Sequence, residues 1–136
     1  MVSGRFYPNM MSDFQPFENE STIAPQIVPH NRESEEAVLG SVLINPEAYF
    51  DLAEFLDADD FYIHRHRWIW EAFKRLVEKR SPIDFLTVTN ELEHQDQLAE
   101  VGGAAYLTTL MNNVPSALHA ESYGHIIEET AVRRRM

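Results

Sequence analysis

From Asn31 onward, apolar residues recur at intervals of three and four, the spacing that places side chains on one face of an α-helix. A first helix is predicted from Asn31, whose side chain can cap it, to about Ile44. Three early acids are suited to complement the N-terminal end of its dipole: Glu33, Glu35 and Glu36. Its apolar stripe consists of Val38, Leu39, Val42 and Leu43.

Capping residues and prolines divide the chain that follows into further helices. Asn45 and Pro46 are suited to open a second helix, because the missing N–H of proline costs nothing in a first turn. The apolar side of this helix consists of Tyr49, Phe50, Leu52, Ala53 and Leu56. A third helix is predicted from about His64 to Lys79, where the Ser81-Pro82 pair ends it.

The last third of the chain predicts three more helices. Asp84 caps the fourth, with Ile83 and Val88 placed to form a hydrophobic staple, and this helix fades near His94. Gly102 suits the left-handed residue that closes a short turn. A fifth helix is predicted from Ala104 to Asn113, and a sixth is capped by Ser116 and ends in three arginines.

No segment alternates polar and apolar residues for long, so the pattern predicts an all-α domain, a compact bundle of about six helices. Residues 1–28 follow neither the helical nor the strand period and contain Pro8, Pro16 and Pro25. They are interpreted as a flexible, disordered N-terminal tail. An alternative is a short linear motif in which Phe14 and Phe17 anchor a partner groove.

The charge and composition narrow the function classes. The 136 residues carry a net charge of −11, which argues against phosphate-backbone binding by the chain as a whole. The absence of cysteine excludes disulfides, thiolate catalysis and cysteine zinc sites. The first residues do not form a secretory signal, and the longest apolar run, residues 37–44, is too short to span a membrane. A cytoplasmic location without membrane contact is expected.

Candidate chemistry is sparse. The sequence has no G-x-x-x-x-G-K-[ST], which excludes a P-loop nucleotide site in this chain. His64 and His66 with Asp59 and Asp60 form the best metal-like cluster, but residues two apart point to different faces of a helix. The favoured interpretation is that these histidines cap or pack the start of the third helix. We therefore predict no catalytic, cofactor-binding or metal-binding residue in this chain.

The third helix is also the basic element of the chain. It and its ends hold Arg65, Arg67, Lys74, Arg75, Lys79 and Arg80 beside Trp68 and Trp70. Such a surface can bind single-stranded nucleic acid. The favoured alternative is a solvated face with the i, i+4 pairs Glu71–Arg75 and Lys74–Glu78, and with Trp70 in the core. Glu18, Glu20, Glu33, Glu35 and Glu36 could also mimic a phosphate backbone, which is less favoured. The residues alone thus indicate a non-catalytic interaction module.

Three stretches in order resemble a known family. They are PHNRESEEAVLGSVLINPEAYFDL, DADDFYIHRHRWIWEAF and the region from Pro82 to Met136, with Gly-Gly-x-x-Tyr-Leu, Val-Pro-Ser and Tyr-x-x-Ile-Ile before arginines. Together, from Pro29 to Arg135, they resemble the N-terminal domain of bacterial replicative DNA helicases of the DnaB family. The resemblance implies a tail at residues 1–28, a globular helical head at residues 29–115 and the start of a helical hairpin at residues 116–136.

The resemblance also implies a role in DNA replication. Members of the family are hexameric rings that unwind DNA with ATP and Mg²⁺ in a RecA-like motor domain, which is absent here together with its linker. Their N-terminal domains form a collar that assembles the ring and receives primase, and a helicase loader is a further possible partner. DNA contact would lie mainly in the motor.

On this basis the oligomer interface is expected on the last helix, at Tyr123, Ile126, Ile127 and Thr130, unless that face packs on the head. Two other hypotheses stay open. One is a freestanding helicase or primase adaptor on the same fold, since the helicase-binding domain of primase is itself similar to it. The other is a metal-dependent enzyme that uses His64, His66 and nearby carboxylates.

Overall fold

The computed structural model describes residues 31–136, so the predicted tail and the acids Glu18 and Glu20 lie outside the described part. Within residues 31–136 all regular structure is helical, which confirms the predicted all-α class. The α-helices are α1 (Arg32–Ile44), α2 (Ala48–Ala53), α3 (His64–Glu78), α4 (Phe85–His94), α5 (Leu98–Val101), α6 (Gly103–Asn112) and α7 (Ala120–Arg135). Two 3₁₀ turns, Ala58–Asp60 and Ala117–His119, precede α3 and α7.

Two helix starts follow the predicted capping chemistry. The Asn31 side chain accepts a hydrogen bond from Ser34 N at 2.9 Å. At α4 the Asp84 side chain accepts from Thr87 N at 2.8 Å, while the Thr87 hydroxyl accepts from Asp84 N at 2.9 Å. Each cap satisfies a backbone donor that the first turn of a helix would otherwise leave unpaired.

Other boundaries differ from the prediction. Residues 45–47 form a turn, with Ala48 N donating to Asn45 O at 3.0 Å, so α2 begins at Ala48 rather than at the Asn45 cap. Ser116 likewise precedes a 3₁₀ turn without a side-chain capping bond, and α7 begins at Ala120. The four-residue α5 was not predicted, because four residues are too few to show a periodicity. Gly102 does adopt the predicted left-handed conformation, with φ +115°.

The core is organised around α1, which contacts α2, α3, α6 and α7. Its apolar side chains Val38, Leu39 and Val42 are fully buried. The surrounding helices and the connection between α2 and α3 supply the other large buried side chains: Leu52, Leu56, Phe61, Ile69, Trp70, Phe73, Leu92, Leu107, Leu110 and Ile127. Because α1 is enclosed on several sides, polar groups at its ends must find partners inside the domain.

Candidate functional site: the α7 surface and the polar network beside it

The predicted interface residues on α7 divide between two environments. Ile127 is 1% exposed and Thr130 is 6% exposed, and both lie where α7 packs on the rest of the domain. Ile126 is 36% exposed, and Tyr123 is half-buried next to it. Of the four, therefore, Tyr123 and Ile126 have side chains that reach the surface of the domain.

The register of α7 is set by small residues that permit a close approach. The buried positions of the helix recur at helical spacing: Ala120, Gly124, Ile127, Thr130 and Ala131. A Cβ added at Gly124 would lie 2.7 Å from Leu52 Cδ2 and 3.1 Å from Phe55 Cζ. The side chain of Phe55 also stacks on His125, with ring centroids 4.1 Å apart. The apolar stripe read from the sequence was thus rotated relative to the face that packs on α1 and α2.

One flank of α7 carries accessible apolar side chains next to a cleft of mixed lining. Ile126 and Tyr123 line this cleft of about 530 Å³ together with Ala37 and Pro115, and polar side chains line the rest of it: Asn31, Glu33, Ser34, Glu36 and Asn113. Val132, further along α7, is 51% exposed. At about 100° per residue, Val132 lies roughly half a turn around the helix from Tyr123, so it belongs to a different side of α7. We call Tyr123 and Ile126 the outer flank of α7.

The C-terminal turn of α7 is fixed by its arginines. Arg134 Nη2 donates to the Asp60 carbonyl at 2.7 Å, and Arg135 Nη2 donates to Asp60 Oδ1 at 2.8 Å. The Arg134 guanidinium also lies 5.4 Å from the centroid of the Tyr62 ring. Burial lowers the pKa of Arg134, and the nearby Glu35 and Asp60 carboxylates oppose that shift. The last turn of α7 is therefore tied to the residues that lead into α3.

A buried polar network lies beside this contact. His66 Nδ1 is 2.7 Å from Glu35 Oε1, and His66 Nε2 is 2.6 Å from the Tyr106 hydroxyl. Glu35 also accepts hydrogen bonds from Tyr62 N at 2.7 Å and from Ile63 N at 3.3 Å. Burial raises the pKa of Tyr106, with the Arg65 cation acting in the opposite direction. The network joins α1, α3 and α6 inside the domain.

Glu35 was interpreted from the sequence as a helix-dipole acid, but the structure assigns it this larger role. It is 1% exposed, unlike the exposed Glu33. One signal was present in the sequence: Glu35 lies three and four residues before Val38 and Leu39, on the apolar stripe of α1. A carboxylate on that stripe requires a buried partner, although the local pattern does not say which residue provides it.

The metal-like cluster does not assemble. Both ring nitrogens of His66 are within hydrogen-bonding distance of Glu35 and Tyr106, while His64 is exposed. Asp60 is taken up by its own turn and by α7. Among residues 31–136, no group of three or more His, Asp or Glu side chains could hold a metal ion.

The basic residues of α3 are mostly engaged within the domain. Arg75 Nε and Lys79 Nζ each lie 2.7 Å from an oxygen of the buried Glu91, so Arg75 pairs across to α4 rather than with Glu71. The hydrogen bond from Lys79, followed by that from Arg75, lowers the pKa of Glu91 against the opposing effect of burial. Arg65 stacks on the Tyr106 ring at 4.4 Å, and Trp70 is 2% exposed in the core. This arrangement favours the structural interpretation of the basic helix over a single-strand binding surface.

A second apolar surface lies at the other end of α1. Phe50, which is 57% exposed, lines a groove of about 600 Å³ with Pro46, Val77, Pro82 and Ile83.

In the described residues, no helix combines the length and the hydrophobicity of a membrane span.

Comparisons with known proteins point to one family. The family model described as "DnaB-like helicase N terminal domain" matches residues 27–129. The chain is 42% identical over 111 residues to the replicative DNA helicase DnaC of Bacillus subtilis (strain 168), an alignment that covers 82% of this chain and 24% of that protein. The chain thus spans about a quarter of the length of the curated relatives it matches.

Solved structures agree with this match. The N-terminal domain of DnaB helicase from Mycobacterium tuberculosis superimposes with a TM-score of 0.78 at 37% identity, over 80% of this chain and 78% of that one. A DnaB-like replicative helicase, described with its interactions with primase, superimposes with a TM-score of 0.70 at 28% identity. That alignment covers 77% of this chain and 25% of the helicase.

Proposed function

The chain belongs to the family of DnaB-like helicase N-terminal domains, and from that premise we propose that it assembles a replicative DNA helicase and docks primase. The parent protein would unwind DNA with ATP and Mg²⁺ bound in a motor domain outside these residues, in the cytoplasm where bacterial DNA is replicated. This chain would contribute no catalytic group. Its role would be to bring protein partners together, including further copies of itself and, in the full assembly, a helicase loader.

The observation that carries the assembly role is the outer flank of α7. Ile126 is 36% exposed on a helix whose buried side packs on the rest of the domain, and Tyr123 lies half-buried beside it. Accessible apolar side chains on the flank of a helix are typical of a surface that packs against another helix. Ile127 and Thr130 would support this surface from beneath rather than contact the partner, because both are buried. We also propose that the globular head ends near residue 115 and that the helical hairpin begins at about residue 116.

The primase role is supported by the described relative. The structure of a DnaB-like replicative helicase with its primase interactions shares this fold over most of the present chain at 28% identity. We propose primase as a partner of this chain on the basis of that relative, and we do not assign the surface that would bind it. Isothermal titration of the 136-residue chain with the helicase-binding domain of a cognate primase tests it, and an absence of heat at high micromolar concentration would contradict it.

Sedimentation velocity across a concentration series tests the assembly role. We expect the wild-type chain to self-associate and Ile126→Ser to weaken association by about tenfold, since burial of such a side chain contributes roughly 1–2 kcal/mol. Phe50→Ser is the matched control, because it also removes an exposed apolar side chain but lies in the other groove. A wild-type chain that stays monomeric would contradict the outer flank as the interface. So would association that is weakened by Phe50→Ser and not by Ile126→Ser.

The freestanding adaptor remains the alternative, because the same fold would serve it equally well. The reading frame of the source gene beyond codon 136 distinguishes the two. A frame that continues to a G-x-x-x-x-G-K-[ST] between a strand and a helix supports the helicase, and a stop codon at that point supports the adaptor.

A further inference from the structure

Residues 57–63, which we call the hinge segment, are held by three helices at once. Glu35 of α1 accepts from the backbone N–H groups of Tyr62 and Ile63. Arg67 of α3 donates from Nε to the Phe61 carbonyl at 2.6 Å. The third contact is with α7 and passes through Asp60. A segment with partners on three helices can move only if several of those contacts change together.

Asp60 joins the hinge segment to α7. Its Oδ2 accepts from Asp57 N at 2.8 Å, which closes the 3₁₀ turn, while its Oδ1 accepts from Arg135 at 2.8 Å. Its carbonyl oxygen accepts from Arg134 at 2.7 Å. Asp60 is 8% exposed, so loss of a partner is costly for its polar atoms. The Arg135 side chain is 54% exposed, so solvent screens that ion pair. The same residue thereby shapes the turn and holds the end of α7.

Tyr62 connects this contact to the buried network. Its backbone N–H binds Glu35 at 2.7 Å, and its ring lies 5.4 Å from the Arg134 guanidinium. Glu35 binds His66, and His66 in turn binds the Tyr106 hydroxyl on α6. Arg134 also lies close enough to Glu35 for the carboxylate to act on its charge. The contacts therefore run without a gap from the last turn of α7 to α6.

We propose that the hinge segment positions the C-terminal turn of α7, and that the buried Glu35–His66 pair sets this position through Tyr62. Asp60 and Arg134 are positioning residues in this arrangement. The direction of α7 would then depend on polar groups inside the head. Its meaning for assembly rests on the proposed function, whereas the coupling itself is a property of the single chain.

The test replaces Arg134 and measures the far end of the network. Arg134→Met removes the hydrogen bond to Asp60 but keeps an unbranched side chain, and Arg133→Met is the matched control because Arg133 is exposed on the same turn. Amide hydrogen exchange is recorded for residues 61–63 and 129–136, together with the ring resonances of His66. Dilute protein, shown by sedimentation to be monomeric, is used throughout.

We expect Arg134→Met to speed exchange at residues 61–63 by about twofold or more and to shift the His66 ring resonances, since loss of one contact in a coupled set weakens the others. Arg133→Met should change neither. Exchange that rises in α7 alone, with residues 61–63 and His66 as in the wild type, would overturn the proposal. Global destabilisation would instead raise exchange in every helix, including α4, and would also count against it.

A second variant tests the coupling in the reverse direction. Tyr106→Phe removes a hydroxyl of α6 that lies 2.6 Å from His66 Nε2 and 3.5 Å from Glu36 Oε2. We expect faster exchange in residues 129–136. In the double variant with Arg134→Met, we expect a fold-change in exchange rate that differs from the product of the fold-changes of the two single variants. Independent, multiplicative effects would refute the coupling. Because these readouts use the monomer, they can fail or succeed separately from the assembly role.

Discussion

Glu35 and His66 stand 31 residues apart in the chain, yet Glu35 Oε1 lies 2.7 Å from His66 Nδ1 in a site that excludes water. The carboxylate accepts hydrogen bonds from two backbone N–H groups as well, so its charge is shared among several donors. A buried carboxylate survives only when such donors are in place. The pair therefore ties the start of α1 to the start of α3 and specifies how the two helices meet.

Loss of this carboxylate should destabilise the domain strongly. Glu35→Gln keeps the shape of the side chain but removes the charge, and we expect the free energy of unfolding to fall by about 2–4 kcal/mol. Urea denaturation followed by circular dichroism measures the change. Glu33→Gln, at an exposed position two residues earlier, should stay within about 0.5 kcal/mol of the wild type. Equal effects of the two variants would contradict the structural role of Glu35.

The seat of α7 gives a second prediction. Gly124→Val would force a branched side chain against Leu52 and Phe55, where even a Cβ lies 2.7 Å from Leu52 Cδ2. We expect a loss of about 1–3 kcal/mol in the free energy of unfolding, because overpacking displaces the helix. Thermal denaturation of the chain reports it as a lower Tm.

Ser122→Val is the control for this prediction. It places the same β-branched residue on the same helix at an exposed position, so it changes helix propensity little and lacks the clash. Replacement of glycine by valine raises helix propensity by itself, so a lower Tm of Gly124→Val comes from the clash. A Tm for Gly124→Val that matches the control would mean that α7 does not pack closely on α2.

Local signals predicted the helices well and the contacts between distant residues poorly. Local sequence determines the caps at Asn31 and Asp84 and the turn at Gly102, because the residues that form each of them lie within a few positions of one another. The Arg134–Asp60 bond joins residues 74 apart, and no periodicity encodes such a pairing.

The α7 surface illustrates the same limit. The spacing of Tyr123, Ile126, Ile127 and Thr130 placed them on one face, and Ile127 and Thr130 are indeed buried. Which side of that face packs on α1 and α2 is decided by the small residues Ala120, Gly124 and Ala131, which allow backbones to approach. A pattern based on large apolar side chains does not register them. The accessible flank of α7 therefore follows from how the helix packs on its neighbours, which the spacing of large apolar residues does not determine.

The capping box of α4 gives a prediction on a smaller scale. Asp84→Ala removes the acceptor for Thr87 N and should cost about 1 kcal/mol of stability. Asp59→Ala, at an exposed position in the 3₁₀ turn, serves as the control and should be nearly neutral. Urea midpoints at constant slope measure both changes. A neutral Asp84→Ala would indicate that water replaces the cap without loss.

The pH dependence of stability should report on Glu91. Its pKa is lowered in the fold below the ordinary value of 4.5, first by the hydrogen bond from Lys79 and then by that from Arg75, against the effect of burial. The folded state therefore favours the ionised form more than the unfolded chain does. The resulting stabilisation is present in full above the ordinary pKa and is lost as the pH falls through the lowered value.

Glu91→Gln removes this contribution. At pH 7 we expect it to lower the free energy of unfolding by about 1–2 kcal/mol, because Lys79 is partly exposed and solvent screens that half of the interaction. As the pH falls below 4.5, the difference from the wild type should shrink toward zero, since wild-type Glu91 then becomes protonated and loses its charge as well. Urea unfolding at several pH values gives the curve. Glu93→Gln, an exposed position on the same helix, should follow the wild type throughout. A difference that stays constant down to pH 3 would mean that packing of the side chain, rather than its charge, accounts for the role of Glu91.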